Sequence, residues 1–261
     1  MIRSTYGLDR YVAGESDIVF GTTDTWLLNE PQGVIYCHGS GDTDESVIGW
    51  PGQFGMINRL ARHATVHVGD LGGQTFGNDT AITRIGQAIT YLRAEWGQYG
   101  PVVLVGVSMG ALGALAYTLA NPTEVAAVAL VIPGLTLDGA EGGPYEGPID
   151  AAYPPAYDSV TDGPTHSPIQ FADDLDPDIP IHMWTSSDDP ITLPADADAF
   201  VAARPQTGRT NVGALGHDDD PVIAAGPALA QWVLDNRITP APTASLYGQR
   251  AYGSGNYGGA A

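Results

Sequence analysis

The chain has 261 residues, of which 43% are hydrophobic and 15% charged, so it can bury the core of one large domain or two small ones and is not expected to be disordered as a whole. Acidic residues outnumber basic ones by 30 to 10, which gives a formal net charge of −20. This charge repels phosphate backbones and anionic membrane surfaces, and therefore disfavours nucleic-acid binding. Cys37 is the only cysteine, which excludes an intrachain disulfide.

The N-terminal residues lack the charged and then apolar run of a secretory signal. No stretch reaches the roughly 18 consecutive apolar residues that a membrane span needs. We therefore expect a soluble protein without a signal peptide.

The first predicted elements are two short strands at residues 17–20 and 25–28, which form a hairpin that extends a sheet with antiparallel strands. From residue 33 to residue 237, short β-branched runs alternate with segments of helical period, a pattern that predicts crossover units on a parallel sheet. The further strands are predicted at 33–37, 64–68, 102–107, 125–132, 179–185 and 210–215. The helices are predicted at 54–63, 80–96 with Asp79 as N-cap, 109–120, 195–203 and 221–236.

This pattern predicts one α/β domain over residues 1–237, with a mostly parallel, doubly wound sheet and an N-terminal antiparallel extension. Residues 134–178 carry many glycines and prolines without a sustained apolar period, so they are expected to form an irregular excursion, a sparse lid, over the strand ends. Residues 238–261 are rich first in proline and alanine and then in Tyr-Gly pairs, and such a tail cannot form a core by itself.

The sequence Gly106-Val107-Ser108-Met109-Gly110 follows a continuous apolar strand and precedes an Ala/Leu-rich helix. A sharp turn from strand to helix forces the central serine into a strained backbone conformation, and side chains at the flanking glycines would collide with neighbouring elements. The turn also lifts Ser108 to a helix N-terminus, where oriented amides favour developing negative charge. Ser108 is therefore the candidate nucleophile.

From about residue 33 to residue 236 the chain resembles the α/β-hydrolase superfamily, whose members carry nucleophile, acid and histidine in this order. The resemblance implies an acid after a late strand and a histidine after the last one. Asp188-Asp189-Pro190-Ile191 follows the predicted strand 179–185, and the position before Pro-Ile favours Asp189, with Asp188 as the alternative acid. His217 follows the last predicted strand and is the candidate base.

The sequence His38-Gly39-Ser40-Gly41 follows the strand 33–37 and resembles the oxyanion loop of the same family. The resemblance implies that the backbone amides of Ser40 and Met109 point at the carbonyl oxygen of a substrate. His38 is interpreted as a side chain that orders this loop, and Cys37 as a buried strand residue rather than a nucleophile. Residues 69–75 resemble a structural loop of the family.

These residues predict a serine hydrolase that cleaves a carboxylic ester through an acyl-enzyme intermediate, with no cofactor and no metal. The expected substrate is a neutral ester, either a small molecule or one presented on a polymer or a cell envelope. The run of aspartates at 218–220 is interpreted as a helix N-terminal cap and solvated face rather than a calcium site. The remaining histidines lack the spacing of a metal site and are His63, His67, His166 and His182. Three tyrosines of the excursion are expected to pack on the body or flank the site, namely Tyr145, Tyr153 and Tyr157.

A second hypothesis is a component of a larger assembly, such as a bacteriophage tail, with or without esterase activity. It rests on the Tyr-Gly pairs that recur every five residues from Tyr247 to Gly258. In this hypothesis the C-terminal tail contacts a partner protein, and the chain is associated with a virion rather than free in the cytoplasm.

Overall fold

A computed structural model describes residues 4–9, 17–22, 33–138 and 143–237. These residues form an eight-stranded sheet with the order β1-β2-β4-β3-β5-β6-β7-β8. The strands are β1 Ser4–Asp9, β2 Asp17–Thr22, β3 Gly33–Cys37, β4 Thr65–Gly69, β5 Val102–Val107, β6 Val125–Val131, β7 Ile181–Thr185 and β8 Gly208–Asn211. The predicted segment 25–28 and the tail at 238–261 lie outside the described residues.

Strands β3 to β8 are parallel to one another, whereas β2 pairs with both β1 and β4 in the antiparallel sense. The predicted fold class, a mostly parallel sheet with an N-terminal antiparallel extension, is confirmed. The antiparallel partner of Asp17–Thr22 is Ser4–Asp9, a strand that the sequence analysis did not predict.

Helices cover both faces of the sheet. They are α1 Ser46–Gly49, α2 Pro51–Leu60, α3 Asp79–Trp96, α4 Gly110–Ala120, α5 Glu146–Ala152, α6 Gly163–His166, α7 Pro168–Phe171, α8 Pro194–Ala203 and α9 Asp219–Asp235. Among the described residues, no helix is both long and apolar enough to cross a membrane.

The central strands are buried on both faces, which explains their continuous β-branched sequences. In β5, Val102 and Leu104 pack into the core beneath α3, α4 and α8, whereas Val103 and Val105 pack into the core beneath α2 and α9. Burying one Leu or Val side chain contributes about 1.5 to 3 kcal/mol. The two cores therefore fix the sheet as a rigid platform whose carboxyl edge carries the loops described below.

The predicted start of α3 differs in detail from the structure. The N-cap of α3 is Asn78 rather than Asp79, because the Asn78 side chain accepts hydrogen bonds from the amides of Thr80 and Ala81. Asparagine and aspartate are equally good N-caps, so the sequence alone did not distinguish these neighbours.

The last strand also differs from its predicted position. It spans Gly208–Asn211 instead of 210–215, because Gly213 and Gly216 adopt positive φ angles of 109° and 68°. Such angles are incompatible with an extended strand and turn the chain into a loop.

The excursion at 134–178 is irregular as predicted, although it contains the three short helices α5, α6 and α7. Ile149 and Tyr153 of this segment form a small apolar cluster with Phe76, Met109 and Leu112 of the body. The excursion is therefore packed directly above the first turn of α4.

The aspartates at 218–220 do not cap their own helix through a side chain. Asp219 instead accepts hydrogen bonds from the amides of Gly52 at 2.7 Å and Gln53 at 3.3 Å, at the start of α2. The carboxylate thus accepts hydrogen bonds from two amides at the start of α2 that have no partner within that helix. Its negative charge also interacts favourably with the positive end of the α2 dipole.

We expect Asp219→Ala to lower the free energy of unfolding by about 1 to 2 kcal/mol, the usual cost of losing a helix N-cap. Asp220→Ala is the matched control, because Asp220 is exposed in the same turn. Urea unfolding of both variants measures the difference. Equal stability of the two variants would contradict a capping role for Asp219.

Candidate active site

Ser108 lies in the turn between β5 and α4, with a φ angle of +50°. This left-handed conformation is costly for a residue with a side chain and persists only where the surroundings hold it. Here the Ser108 amide donates to the carbonyl of Val131 at 3.0 Å, and the Gly134 amide donates to the carbonyl of Ser108 at 2.9 Å. Both backbone groups of the serine are therefore anchored to β6 and to the segment that follows it.

The two glycines of the motif are required by close contacts. A Cβ atom at Gly106 would lie 2.8 Å from the Cα atom of Ala111, and one at Gly110 would lie 2.1 Å from the carbonyl oxygen of Cys37. The first turn of α4 therefore lies directly against the end of β3. This packing aims the Ser108 side chain over the carboxyl edge of the sheet.

The structure brings Ser108, His217 and Asp189 together. Ser108 Oγ lies 2.8 Å from His217 Nε2, and His217 Nδ1 lies 2.7 Å from Asp189 Oδ2. With the proton on Nδ1 donated to the carboxylate, the Nε2 lone pair faces the serine hydroxyl and can accept its proton.

Asp189 is a buried residue, and its side chain is 1% exposed. Its Oδ1 atom accepts hydrogen bonds from the amides of Ile191 at 2.8 Å and Thr192 at 2.9 Å. Burial opposes ionisation, but the hydrogen bonds from His217, Thr192 and Ile191 outweigh it and hold the pKa of the Asp189 carboxyl below its ordinary value. The group is therefore an anion at neutral pH and faces His217 Nδ1.

Asp188, the alternative acid, lies at the surface and points to a different partner. Its Oδ1 atom accepts hydrogen bonds from the Ser186 hydroxyl at 2.9 Å and the Gly216 amide at 2.8 Å. The bonds from Gly216 and Ser186 lower the pKa of its carboxyl. Asp188 thus fastens the loop that carries His217, and Asp189 contacts the imidazole.

Thr192 is a neighbour of the site that the sequence analysis did not identify. Its hydroxyl donates to Asp189 Oδ2 at 2.7 Å and lies 3.2 Å from the carbonyl oxygen of Ile132 and 3.3 Å from His217 Nδ1. A hydroxyl residue three positions after an aspartate in a proline-containing turn is typical of side-chain bonds within the turn. The spacing of Asp189 and Thr192 in the sequence could therefore have indicated this contact.

The two candidate oxyanion residues lie beside Ser108. Met109 occupies the N-cap position of α4, and Ser40 lines the same cleft as Ser108 and Met109. The Ser40 hydroxyl donates to Gln74 Oε1 at 2.5 Å, which fastens the loop after β3 to the loop after β4.

The positions of His38 and Cys37 agree with the predictions from the sequence. The two ring nitrogens of His38 lie 2.8 Å from the carbonyl oxygen of Gly39 and 2.9 Å from that of Asp70, so both are engaged in ordering the loop. Cys37 is buried at the end of β3, and burial raises the pKa of its thiol to about 12. A thiol of this kind is a poor nucleophile at neutral pH.

A cleft of about 240 Å³ opens above Ser108. Its walls are mainly apolar and include Phe76, Met109, Leu112, Leu135, Leu137, Pro144, Tyr145, Ile149, Pro190, Ile191 and Leu193. Of the three tyrosines of the excursion, Tyr145 lines the cleft, Tyr153 donates its hydroxyl to the carbonyl of Phe76, and Tyr157 donates its hydroxyl to Asp138. The excursion therefore supplies one wall of the cleft.

Within the described ranges, no group of three or more His, Cys, Asp or Glu side chains is arranged to hold a metal ion. Three of the four remaining histidines have contacts with other parts of the chain. His166 lies 3.3 Å from Asp79, His182 lies 3.0 Å from the hydroxyl of Thr210, and the His67 ring packs edge-on to Tyr91.

Comparisons with known proteins agree with this architecture. A family model described as alpha/beta hydrolase fold matches residues 33–160. A comparison with curated proteins found no match.

Solved structures of similar fold cover most of the chain. The S-formylglutathione hydrolase of Agrobacterium tumefaciens is 12% identical with a TM-score of 0.71, over 89% of this chain and 95% of that one. The fluorophosphonate-binding serine hydrolase F of Staphylococcus aureus is 13% identical with a TM-score of 0.73, over 88% and 98%. A ferulic acid esterase is 14% identical with a TM-score of 0.69, over 90% and 99%. Residues 33–160 thus match the α/β-hydrolase family model, and the chain has the fold of these solved structures.

The positive φ angle of Ser108 leads to a prediction about stability. We expect Ser108→Gly to be more stable than Ser108→Ala by about 1 kcal/mol, because only glycine adopts this conformation without strain. Ala195→Gly in the first turn of α8 is the matched control, and there glycine should lower the stability by about 0.5 to 1 kcal/mol. Urea unfolding at pH 7 measures each difference, and a Ser108→Ala variant at least as stable as Ser108→Gly would rule out strain at this residue.

Proposed function

We propose that the protein is a serine hydrolase that cleaves a carboxylic ester, with Ser108 as nucleophile, His217 as general base and acid, and Asp189 as the acid of the triad. The observation that carries the proposal is the pair of short contacts, 2.8 Å from Ser108 Oγ to His217 Nε2 and 2.7 Å from His217 Nδ1 to Asp189 Oδ2. A serine at a strained strand-to-helix turn with these partners is suited to nucleophilic catalysis.

In the first half of the reaction, Ser108 Oγ attacks the ester carbonyl carbon while His217 Nε2 takes the hydroxyl proton. The carbonyl electrons move to the oxygen, and a tetrahedral intermediate forms. When these electrons return, the bond to the alcohol breaks and His217 gives its proton to the leaving oxygen. The products of this half are a free alcohol and an acyl-enzyme on Ser108.

In the second half, water takes the place of the alcohol. His217 removes a proton from the water, the hydroxide oxygen attacks the acyl carbon, and the bond to Ser108 breaks as the serine regains its proton from His217. Asp189 stays ionised throughout and stabilises the imidazolium that forms in each half. These steps use side chains of the chain and water alone.

The backbone amides of Met109 and Ser40 are the proposed donors to the oxyanion. Both residues line the cleft beside Ser108, and the start of α4 adds the positive end of a helix dipole. One such donor commonly contributes about 3 kcal/mol to the stabilisation of the transition state. The hydrogen bond from Ser40 to Gln74 helps to keep the loop in place before substrate arrives.

An ester is the proposed substrate because the structures of similar fold include a ferulic acid esterase and a carboxyl esterase. The shape of the cleft supports the same class. Ile191 and Leu193 at its rim are 39% and 49% exposed, so an apolar acyl or alcohol part can reach Ser108 from solvent. The alternative hypothesis of an assembly component depends on residues 238–261, which lie outside the described residues, and it stays a prediction.

The assignment of the nucleophile is tested with p-nitrophenyl acetate and butyrate and with a fluorophosphonate label. We expect Ser108→Ala to lower kcat by about 10⁵-fold, in line with the loss of other serine nucleophiles, and to abolish labelling. Ser187→Ala is the control, because Ser187 is an exposed serine near the site, and it should keep both turnover and labelling. Labelling that persists in Ser108→Ala would point to another nucleophile, and a wild-type protein that neither labels nor turns over would contradict the proposed function.

The adjacent aspartates provide a matched pair for the acid. We expect Asp189→Asn to lower kcat by about 10³- to 10⁴-fold, because an amide favours the wrong histidine tautomer and leaves the imidazolium without a counter-charge. Asp188→Asn should stay within about tenfold of wild type, because an asparagine oxygen still accepts the bond from Gly216. Steady-state kinetics of both variants on one ester measure the contrast, and a larger loss in Asp188→Asn would reverse the assignment.

A further inference from the structure

The cleft above Ser108 carries charge of one sign. Among the described residues that line it, the charged side chains are Asp138 and Asp196, and none is basic. Neither carboxylate forms an ion pair with a described arginine or histidine. The rest of the lining is apolar or carries neutral polar groups, so these two carboxylates determine the local potential.

Asp138 lies at the start of the excursion and is surrounded by neutral donors. Burial opposes its ionisation, but hydrogen bonds from neighbouring side chains outweigh burial and hold the pKa of the carboxyl below its ordinary value. The donors include the Tyr157 hydroxyl at 3.0 Å, the Gln170 side-chain amide at 2.8 Å and the Ser167 hydroxyl at 3.3 Å, and the Thr136 hydroxyl lies 3.5 Å away. These bonds stabilise the anion and leave its net charge in place, because none of the donors is a cation.

Asp196 lies in the first turn of α8, one helical turn beyond Thr192. It is half-buried in the wall of the cleft. Burial raises the pKa of its carboxyl, and a bond from the Leu193 amide opposes the rise. The carboxylate lies near the positive end of the α8 dipole and lacks a counter-ion among the described residues.

We propose that Asp138 and Asp196 make the cleft select substrates by charge, so that it accepts esters with a neutral or cationic group and rejects esters with an anionic group. The inference rests on the proposed function, because the cleft selects substrates only if Ser108 reacts with them. A carboxylate on the substrate would enter a partly desolvated space beside two uncompensated negative charges, where repulsion is stronger than in water. A quaternary ammonium group of the same size gains from the same charges.

The test uses two series of esters, each with a cationic, a neutral and an anionic member. On the acyl side the probes are p-nitrophenyl esters of 4-(trimethylammonio)butanoate, of pentanoate and of glutarate with one free carboxylate. On the alcohol side they are acetate esters of choline, of 3,3-dimethylbutanol and of 3-hydroxypropanesulfonate, followed by acid release at constant pH. We expect kcat/KM for the cationic ester to exceed that for the anionic ester by about tenfold or more in at least one series.

Asp196→Asn removes one charge and keeps an oxygen that can accept the Leu193 amide. We expect it to reduce the cationic-to-anionic ratio by about threefold or more. The ratio is taken within each variant, so a change in turnover common to all the esters cancels. Asp178→Asn is the matched control, because Asp178 is exposed before β7, at the opposite edge of the sheet. It makes the same change in net charge and should leave the ratio unaltered.

High salt separates the cleft from the field of the whole protein, whose formal net charge is −20. At about 1 M salt the screening length is about 3 Å, so long-range repulsion is lost whereas close, partly buried charges still interact. We therefore expect the cationic-to-anionic ratio of kcat/KM to persist at this salt concentration. A ratio that vanishes in salt, or that Asp178→Asn shifts as much as Asp196→Asn does, would overturn the inference.

The two proposals fail in different ways. Turnover of the neutral ester with equal turnover of the anionic one leaves the hydrolase in place and overturns charge selection. No turnover of any probe overturns the proposed function and this inference with it. Folding of each variant is checked by its unfolding midpoint, so that a loss of structure is not mistaken for a change in selectivity.

Discussion

The structure of the site depends on the close approach of the first turn of α4 to the end of β3. At Gly110 a single extra carbon would lie 2.1 Å from the carbonyl oxygen of Cys37, so only glycine permits the contact. This packing forces the preceding Ser108 into its left-handed conformation. It also places the start of α4 and the loop after β3 on two sides of the serine. One steric constraint therefore determines the position of the proposed nucleophile and of both candidate oxyanion donors.

The remaining two members of the site reach Ser108 on loops that support each other. The loop after β7 carries Asp189, and the loop after β8 carries His217. Asp188 joins the two loops through the Gly216 amide, and Ser186 joins them through the Leu215 amide at 3.0 Å. The two adjacent aspartates thus have different contacts. Asp188 holds the loop that carries His217 through the Gly216 amide, and Asp189 contacts the imidazole itself. Thr192 completes the inner arrangement by donating its hydroxyl to the carboxylate that faces the histidine.

The sequence predicted those parts of the fold and the site that depend on a single physical requirement. The strands Gly33–Cys37 and Val102–Val107 have the predicted bounds, because strands buried on both faces need continuous apolar residues. The predicted bounds of β8 were wrong, because Gly213 and Gly216, which follow the strand, can adopt either an extended or a turn conformation. The choice between the two depends on the loop that carries His217. Asp188 and Asp189 could not be separated from composition, since neighbouring residues in a turn point in different directions. Thr192 was missed for the same reason, because its role depends on an orientation that only the folded loops define.

The acidic composition of the chain has a different consequence at each carboxylate near the site. Asp189 is compensated by His217 and lies behind the reacting atoms, so its charge stabilises a cation that forms during the proposed reaction. Asp138 and Asp196 lie on the wall of the cleft, where the described residues supply neutral donors and no cation. The absence of basic side chains from the described lining therefore leaves the charge of the cleft to be matched by whatever molecule enters it.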